Sequence, residues 1–314
     1  MKDCWVDISI FWGNLSFLGI IIPFPVPTDH VSMVCFASVM ASSDVAVFFP
    51  SINGNLTRIT WAHAVNNQSY LTSTLNNTDI MMIEADIVLG TVNGTTSTTQ
   101  IPVMAHPPAN TSDISLATFL ETINAFNTNN ATNTTSRKGV KLDFKTLEVF
   151  NQSLSIISQY DQGNYPLWIN ADIISGPINA TTEPVNATQF LERASQFNNT
   201  VLSIGWTTEY GSNVTGNYSS DQIQSMLDVI VQNNVTQNIT FPVRAGLAAE
   251  SLSGMQSLIA NVTNSTLTIW SSEGDNVNVT NLRSLISKIG IRNVFVDVPV
   301  ELSSQLRLDT LNSS

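Results

Sequence analysis

From about residue 55 onward, short apolar runs alternate with stretches that have the hydrophobic period of a helix. In the stretch 113–126, for example, Phe119, Ile123 and Phe126 fall near one helical face. Strands that are apolar throughout, separated by helices, are typical of a parallel sheet with helices on it. The alternation therefore predicts an α/β protein. The apolar runs are residues 58–65, 80–89, 101–106, 139–145, 166–173, 201–207, 240–246, 267–272 and 293–299.

The number of strand–helix units favours one parallel architecture. With this many units, a closed (β/α)8 TIM-type barrel is favoured over a doubly wound open sheet. Nine runs are candidates for the eight strands of the barrel, and we expect that one of the runs after residue 200 lies outside it or is not a strand. No linker divides the chain, so residues 51–314 are predicted to form a single barrel domain.

Residues 1–50 are predicted to be an N-terminal segment that contains a candidate signal peptide. The apolar stretch 15–24 is too short to span a bilayer, and small residues in the stretch 32–49 resemble a cleavage region. We therefore predict no transmembrane helix. Both cysteines, Cys4 and Cys35, lie in this segment, and a disulfide bond between them is an alternative that the sequence leaves open.

The composition of the polar residues indicates an extracellular protein. Charged residues make up only 11% of the chain, the net charge is −12, and there is no basic run. This excludes a nucleic-acid-binding surface and a basic membrane-surface helix. The chain has twenty Asn-x-Ser/Thr sequons, which accept glycans only in secreted or lumenal proteins. We predict a secreted glycoprotein; the alternative is that an Asn- and Thr-rich composition creates sequons by chance.

Histidines and carboxylates recur at the ends of consecutive apolar runs. His63 ends the stretch 59–63 within the first run, the pair Glu84 and Asp86 lies in the second, His106 ends the third and Asp143 lies in the fourth. Residues i and i+2 of a strand share a face, and the carboxyl ends of barrel strands meet at one rim. We therefore predict one common site. Taken singly, each residue has another reading, such as a hydrogen-bonded structural histidine or a salt-bridged acid.

These residue types suit metal-assisted phosphodiester chemistry. Carboxylate oxygens favour Mg²⁺ or Ca²⁺ over zinc, and histidine is the natural acid or base near neutral pH. Lys145 shares a strand face with Asp143 and is predicted to neutralise a phosphate. Three residues of later runs, Asn170, Arg244 and Trp270, are predicted to contact the substrate, although core packing is an equally good explanation for each.

The segments that carry these residues resemble the menorin family, over about residues 50–310. That family is in turn similar to the phospholipase-C-like phosphodiesterase barrels, which include the glycerophosphodiester phosphodiesterases and the sphingomyelinase D enzymes of spider venom. The similar segments are ITWAHAVNN (59–67), MIEAD (82–86), PVMAHPP (102–108), GVKLDFK (139–145), PLWINAD (166–172), LSIGWTT (202–208), FPVRAG (241–246) and LTIWSS (267–272).

The resemblance implies a role for each site residue. It implies a phospholipase-C-like fold and a phosphodiester or lipid-headgroup substrate, and it places Trp270 in the wall of the pocket. The implied roles are a catalytic pair of His63 and His106, Mg²⁺ ligation by Glu84, Asp86 and Asp143, and phosphate contact by Lys145.

One departure supports a second class of function. Glycerophosphodiesterases have Arg-Gly after the first histidine, where this chain has Ala64 and Val65. Known menorin roles also include a secreted factor that acts with cell-surface receptors to pattern dendrites. The alternative to an enzyme is therefore a non-catalytic signalling or adhesion ligand built on the same barrel.

Overall fold

Strands and helices alternate along the chain as predicted. The computed structural model describes residues 44–133 and 135–311; Cys4, Cys35 and residues 1–43 of the N-terminal segment lie outside them. The strands are β1 Trp61–Ala62, β2 Met82–Val92, β3 Ile101–Met104, β4 Thr111–Ser112, β5 Gly139–Phe144, β6 Leu167–Ile174, β7 Thr200–Trp206, β8 Ile239–Arg244, β9 Ser265–Trp270 and β10 Val294–Asp297. The helices are α1 Val45–Phe48, α2 Gln68–Asn76, α3 Leu116–Asn129, α4 Leu147–Tyr160, α5 Ala187–Ala194, α6 Ser220–Gln232, α7 Ala245–Ala249, α8 Leu252–Asn261, α9 Val279–Ile289 and α10 Val300–Leu306, with 3₁₀ turns at Pro50–Ile52, Leu56–Arg58 and Leu308–Thr310.

Eight parallel strands form the sheet, in the order β1-β2-β5-β6-β7-β8-β9-β10. The connections between them carry the helices, and apolar side chains from both layers are fully buried together. The predicted α/β barrel is therefore confirmed. It is nearly closed, because β1 and β10 share no ladder of hydrogen bonds within the described chain.

The ninth apolar run is the one at 101–106, so the expectation that a run after residue 200 lies outside the barrel is wrong. β3 pairs antiparallel with the outer part of β2, from Ile87 opposite Met104 to Gly90 opposite Ile101. Only residues 93–100 join the two strands. A parallel crossover needs a dozen or more residues, so this short connection closes a hairpin instead.

The seam between β10 and β1 is closed by a turn. The backbone N–H of Leu56, in the 3₁₀ turn before β1, donates to the carbonyl oxygen of Ile291 over 2.9 Å. Further upstream, Val45, Phe48 and Ile52 are buried in the same core as the barrel. Residues before the predicted domain start at 51 are thus part of the packed structure.

The interior of the barrel changes from aromatic to polar along the strands. Trp61, Trp168 and Phe295 contact one another edge to face, with ring centroids 4.9 to 6.4 Å apart. One step further toward the carboxyl ends, Asp143 lies in register between Asp86 and Asn170. This places the polar residues where barrel enzymes carry their sites. None of the helices in the described residues combines the length and the hydrophobicity that a membrane span requires.

Candidate active site

Three buried carboxylates meet at the carboxyl end of the barrel. Glu84 and Asp86 extend from the same face of β2, and Asp86 pairs in register with Asp143 of β5. One oxygen of each carboxylate lies within 4.8 Å of the others. Glu84 is 1% exposed and Asp86 is 4% exposed, so solvent cannot relieve their mutual repulsion and other groups must do so. The predicted convergence of these acids is what the structure shows.

Each carboxylate is oriented by one neutral amide. The donor binds one oxygen of the carboxylate, which fixes the direction of the group as outer-shell partners do for metal ligands. Because Ala64 has a positive φ of 54°, its N–H can reach the buried acid beneath it. The contacts are Ala64 N to Glu84 Oε2 (2.8 Å), Asn66 Nδ2 to Asp86 Oδ2 (2.8 Å) and Asn170 Nδ2 to Asp143 Oδ1 (2.7 Å).

Lys145 compensates the charge of two of the acids. Its Nζ lies 2.6 Å from Asp86 Oδ1 and 2.5 Å from Asp143 Oδ2. Burial would lower the pKa of Lys145, but the charges of Asp143 and Asp86 outweigh it and raise the pKa. Burial would likewise raise the pKa of Asp143, but Lys145 and Lys141 hold it below its usual range. The ammonium therefore contacts two carboxylates, and its contact with a phosphate stays a prediction from the sequence.

The donor set fits a hard divalent cation. Mg²⁺ and Ca²⁺ take carboxylate oxygens, and Glu84, Asp86 and Asp143 each supply one within the 4.8 Å cluster. Glu84 Oε1 has no hydrogen-bond donor in the described part of the chain. A cation shared by all three acids would compete with Lys145, because the ammonium already holds the second oxygen of both aspartates.

His63 is anchored by two carboxylates. It follows β1, and its Nδ1 lies 2.8 Å from Asp297 Oδ2 at the end of β10 and 3.6 Å from Glu84 Oε2. Burial would lower the pKa of His63, but the charge of Glu84 and the hydrogen bond with Asp297 outweigh it and raise the pKa to about 9. The side chain is still 48% exposed, so its Nε2 edge is accessible to a ligand. Sequence reasoning did not assign this role to Asp297.

His106 reaches the rim through the β2–β3 hairpin, and not through a barrel strand as predicted. The N–H of the preceding Ala105 donates to the carbonyl oxygen of Asp86 over 3.0 Å. The imidazole is exposed, and its Nδ1 lies 2.7 Å from the carbonyl oxygen of Pro107. A carbonyl only accepts hydrogen bonds, so Nδ1 carries the proton and Nε2 of the neutral ring is a free acceptor.

Arg244, one of the residues predicted to contact the substrate, forms an ion pair with Asp275. Its Nε and one terminal nitrogen each lie 2.9 Å from a carboxylate oxygen of Asp275. The guanidinium carbon also stacks 4.5 Å from the ring centroid of Trp270 and 5.5 Å from that of Tyr210. Arg244 and Trp270 are adjacent in register, and Trp270 is adjacent to Asp297. Trp270 therefore lies on the rim beside the acid that anchors His63.

The part of the chain that carries these site residues is similar to known proteins. Residues 55–303 match the family model for the Menorin N-terminal domain. The chain belongs to the menorin family. It is 34% identical to human Protein FAM151B over 243 residues, which are 76% of this chain and 82% of that protein. A crystal structure of a glycerophosphoryl diester phosphodiesterase from Parabacteroides distasonis ATCC 8503 aligns with a TM-score of 0.46 at 13% identity, covering 87% of this chain and 94% of that one.

Two further ionisable residues, Lys141 and Asp172, belong to this menorin-family site. Lys141 is 4% exposed and lies in register between Glu84 and Trp168. Asp172 follows Asn170 on the same face of β6, and burial together with the charge of Asp143 raises its pKa to about 7. The i, i+2 spacing of Asn170 and Asp172 places both side chains on one face of the strand.

Proposed function

We propose that this menorin-family chain is a secreted, glycosylated phosphodiesterase that depends on a divalent metal ion. The observation that carries the proposal is the cluster of three buried carboxylates within 4.8 Å, beside a histidine anchored by Asp297. Few structural roles require three buried acids to face one another. The substrate class is a phosphodiester, including lipid headgroups.

The two histidines divide the acid and base roles. With a pKa of about 9, His63 carries a proton at neutral pH and acts as the general acid. The neutral tautomer of His106, with Nδ1 on Pro107, offers Nε2 as the base. His106 takes the proton of the attacking hydroxyl while the hydroxyl oxygen bonds to phosphorus. His63 protonates the leaving-group oxygen while the bond between phosphorus and that oxygen breaks.

The acidic cluster supplies the remaining requirement. A Mg²⁺ or Ca²⁺ ion held by Glu84, Asp86 and Asp143 would stabilise the negative charge that develops on the phosphoryl oxygens. Asn66 and Asn170 hold the aspartates in place for this role. Trp270 forms part of the wall beside Asp297 and packs against the substrate.

The test compares metal binding and turnover in matched variants. Mg²⁺ is titrated calorimetrically into the secreted wild-type protein and into Glu84→Gln/Asp86→Asn, and hydrolysis of bis(p-nitrophenyl) phosphate and glycerophosphocholine is measured. The control Glu192→Gln/Asp221→Asn makes the same charge change at exposed helix positions. We expect binding and hydrolysis in wild type and control and the loss of both in the site variant. Absence of specific metal binding and of hydrolysis from the wild type refutes the catalytic proposal.

A second candidate is a non-catalytic extracellular ligand for a cell-surface receptor. The observation that favours it is that both cations predicted to contact the substrate are paired with acids, Lys145 with Asp86 and Asp143 and Arg244 with Asp275. In addition, Ala64 and Val65 replace the expected Arg-Gly. His63→Ala separates the candidates in a receptor-binding and signalling assay. A variant that binds normally but has no biological effect excludes the pure ligand.

A further inference from the structure

A groove with both polar and apolar lining residues lies on the face of the barrel opposite the candidate site. It is formed by the last turns of α6 and α8 and the loops that lead into β8 and β9. Leu227, Val231 and Val235 line it, and Val231 is 74% exposed. Of the large hydrophobic residues that line the groove in the described chain, Val231 is the exposed one, and covering it would remove apolar area from water.

Three sequon asparagines also line this groove. They are Asn234, Asn261 and Asn264, and each is followed two residues later by a threonine, Thr236, Thr263 and Thr266. All three asparagines are exposed. The side chains of Asn234 and Asn264 make no hydrogen bond within the described part of the chain. The Nδ2 of Asn261 donates to the carbonyl oxygen of Ser257 over 2.8 Å, and a substituted amide keeps one N–H for that bond.

The position of the asparagines at helix ends does not explain why each is part of a sequon. Asn234 and Asn264 have positive φ values of 50° and 57° after their helices, a position where asparagine is favoured in any protein. That preference accounts for the two asparagines but not for the threonines that follow them. Thr236 and Thr263 are themselves exposed, so packing in the core does not explain either threonine.

Along the whole chain, asparagines lie in sequons more often than chance predicts. Ser and Thr are 68 of its 314 residues, so chance would place about one asparagine in five in a sequon, whereas 20 of the 33 lie in one. Of the 18 sequon asparagines in the described residues, 16 are exposed and none is buried; of the 13 other asparagines, 5 are exposed. A chance product of composition would not separate the two groups by exposure.

We propose that N-linked oligosaccharides on Asn234, Asn261 and Asn264 cover the groove and shield Val231 from solvent. In the transfer, each Nδ2 loses a proton and bonds to C1 of the first sugar, and the lipid diphosphate of the lipid-linked donor leaves. The apolar faces of the sugar rings then pack against Val231 and Val235. This inference rests on the proposed secretion of the chain.

The test destroys the three sequons by changing their threonines and keeps the asparagines. The triple variant Thr236→Ala/Thr263→Ala/Thr266→Ala loses the sequons, whereas its matched control Thr236→Ser/Thr263→Ser/Thr266→Ser keeps them. Both are expressed as full chains in a secreting eukaryotic cell line. Peptide mass spectrometry after enzymatic glycan release in heavy-oxygen water measures occupancy at each asparagine.

We expect glycans on all three asparagines in the wild type and in the serine control. We expect the alanine variant to bind a hydrophobic dye several-fold more and to self-associate in light scattering, and we expect an added Val231→Ser to reverse both effects. Should the alanine variant fail to be secreted, enzymatic deglycosylation of folded wild type gives the same comparison.

Two results overturn the inference while leaving secretion intact. One is an unoccupied groove in protein whose Asn93 and Asn179, both exposed, carry glycans. The other is an occupied groove whose loss changes neither dye binding nor association. If no sequon of the chain is occupied in any cell line, the proposed secretion and this inference both fail.

Discussion

At the scale of single residues, Lys145 determines the charge balance of the site. Its ammonium contacts Asp86 and Asp143 and is 22% exposed. Removing one partner of a buried ion pair leaves charge uncompensated, so we expect Lys145→Met to lower the free energy of unfolding by about 3 kcal/mol in chelator. Because a cation competes for the same oxygens, Mg²⁺ should raise the melting temperature of this variant more than that of wild type.

Calorimetric melting with and without Mg²⁺ checks this prediction. Lys288→Met removes the same charge from an exposed position on α9, and it should change neither stability nor the response to Mg²⁺. An equal Mg²⁺ response in wild type and Lys145→Met would mean that the ammonium and the ion do not share ligands.

The anchoring of His63 by Asp297 predicts a pH effect. The folded pKa of His63 is about 9, above the ordinary value of 6.5, so its contribution to stability is complete below about pH 6.5 and is lost as the pH rises through about 9. We expect Asp297→Asn to lower the pKa of His63 by roughly one unit. The chain has three histidines, so an imidazole NMR titration can follow each one, and an unchanged His63 curve would contradict the contact.

Asp172 gives a second pH effect, at lower pH. Its folded pKa of about 7 exceeds the ordinary value of 3.8, so the folded state holds a proton that the unfolded state has lost. The stability of the protein therefore falls as the pH rises from about 4 to 7. Asp172→Asn should remove this fall and be more stable than wild type at pH 8. Urea unfolding across that range measures it, and parallel curves would show that Asp172 is ionised in the fold.

The sequence identifies some of these residues but not their partners. Glu84, Asp86 and Asp143 are found because spacing within one strand and the parallel order of strands suffice to bring them together. His63 and Asp297 are 234 positions apart, so their contact depends on closure of the barrel. The pairing of Arg244 with Asp275 depends in the same way on the loop after β9, for which the sequence carries no periodic signal.

At the scale of elements, the β2–β3 hairpin shows what an apolar run leaves undecided. A run of this length gives a strand but neither its direction nor its partner, and only the connection 93–100 reveals that it returns antiparallel. The consequence for function is that His106 depends on the hairpin for its position. Sequence reasoning placed this residue at the rim but through the wrong element.

Gly90 allows the β2–β3 hairpin to pack closely against the backbone of Asn110. A Cβ at Gly90 would overlap the backbone carbonyl of Asn110, which accepts the N–H of Thr91. Backbone cannot move aside as a flexible side chain can, so we expect Gly90→Ala to cost about 2 kcal/mol of stability and to shift the NMR signals of His106. Gly211→Ala is the control, because a Cβ there has open space and no positive φ. Equal stability of the two variants in urea would show that the hairpin adapts.

At the scale of the whole molecule, backbone pairing around the barrel is uneven: it is extensive between β6 and β7 and sparse at the seam between β10 and β1. β6 and β7 share a ladder from Leu167 opposite Thr200 to Ile174 opposite Trp206, whereas β1 pairs with β2 at only two positions. Between β10 and β1 the described chain has the bond from Leu56 to Ile291 in place of a ladder. Protection of amides follows the number of bonds that must open together. The seam should therefore open before the rest of the sheet.

Hydrogen exchange with mass spectrometry tests the order of opening. We expect peptides that cover residues 55–65 to exchange in native buffer well before those that cover 167–174 and 200–206, under conditions where all exchange by local opening. His63 follows β1 at this seam, so a ligand that binds both His63 and the acids of β2 should slow exchange at 55–65 most strongly. Uniform protection around the barrel would mean that β10 and β1 open together with the whole sheet, and the site would then have no local route of opening.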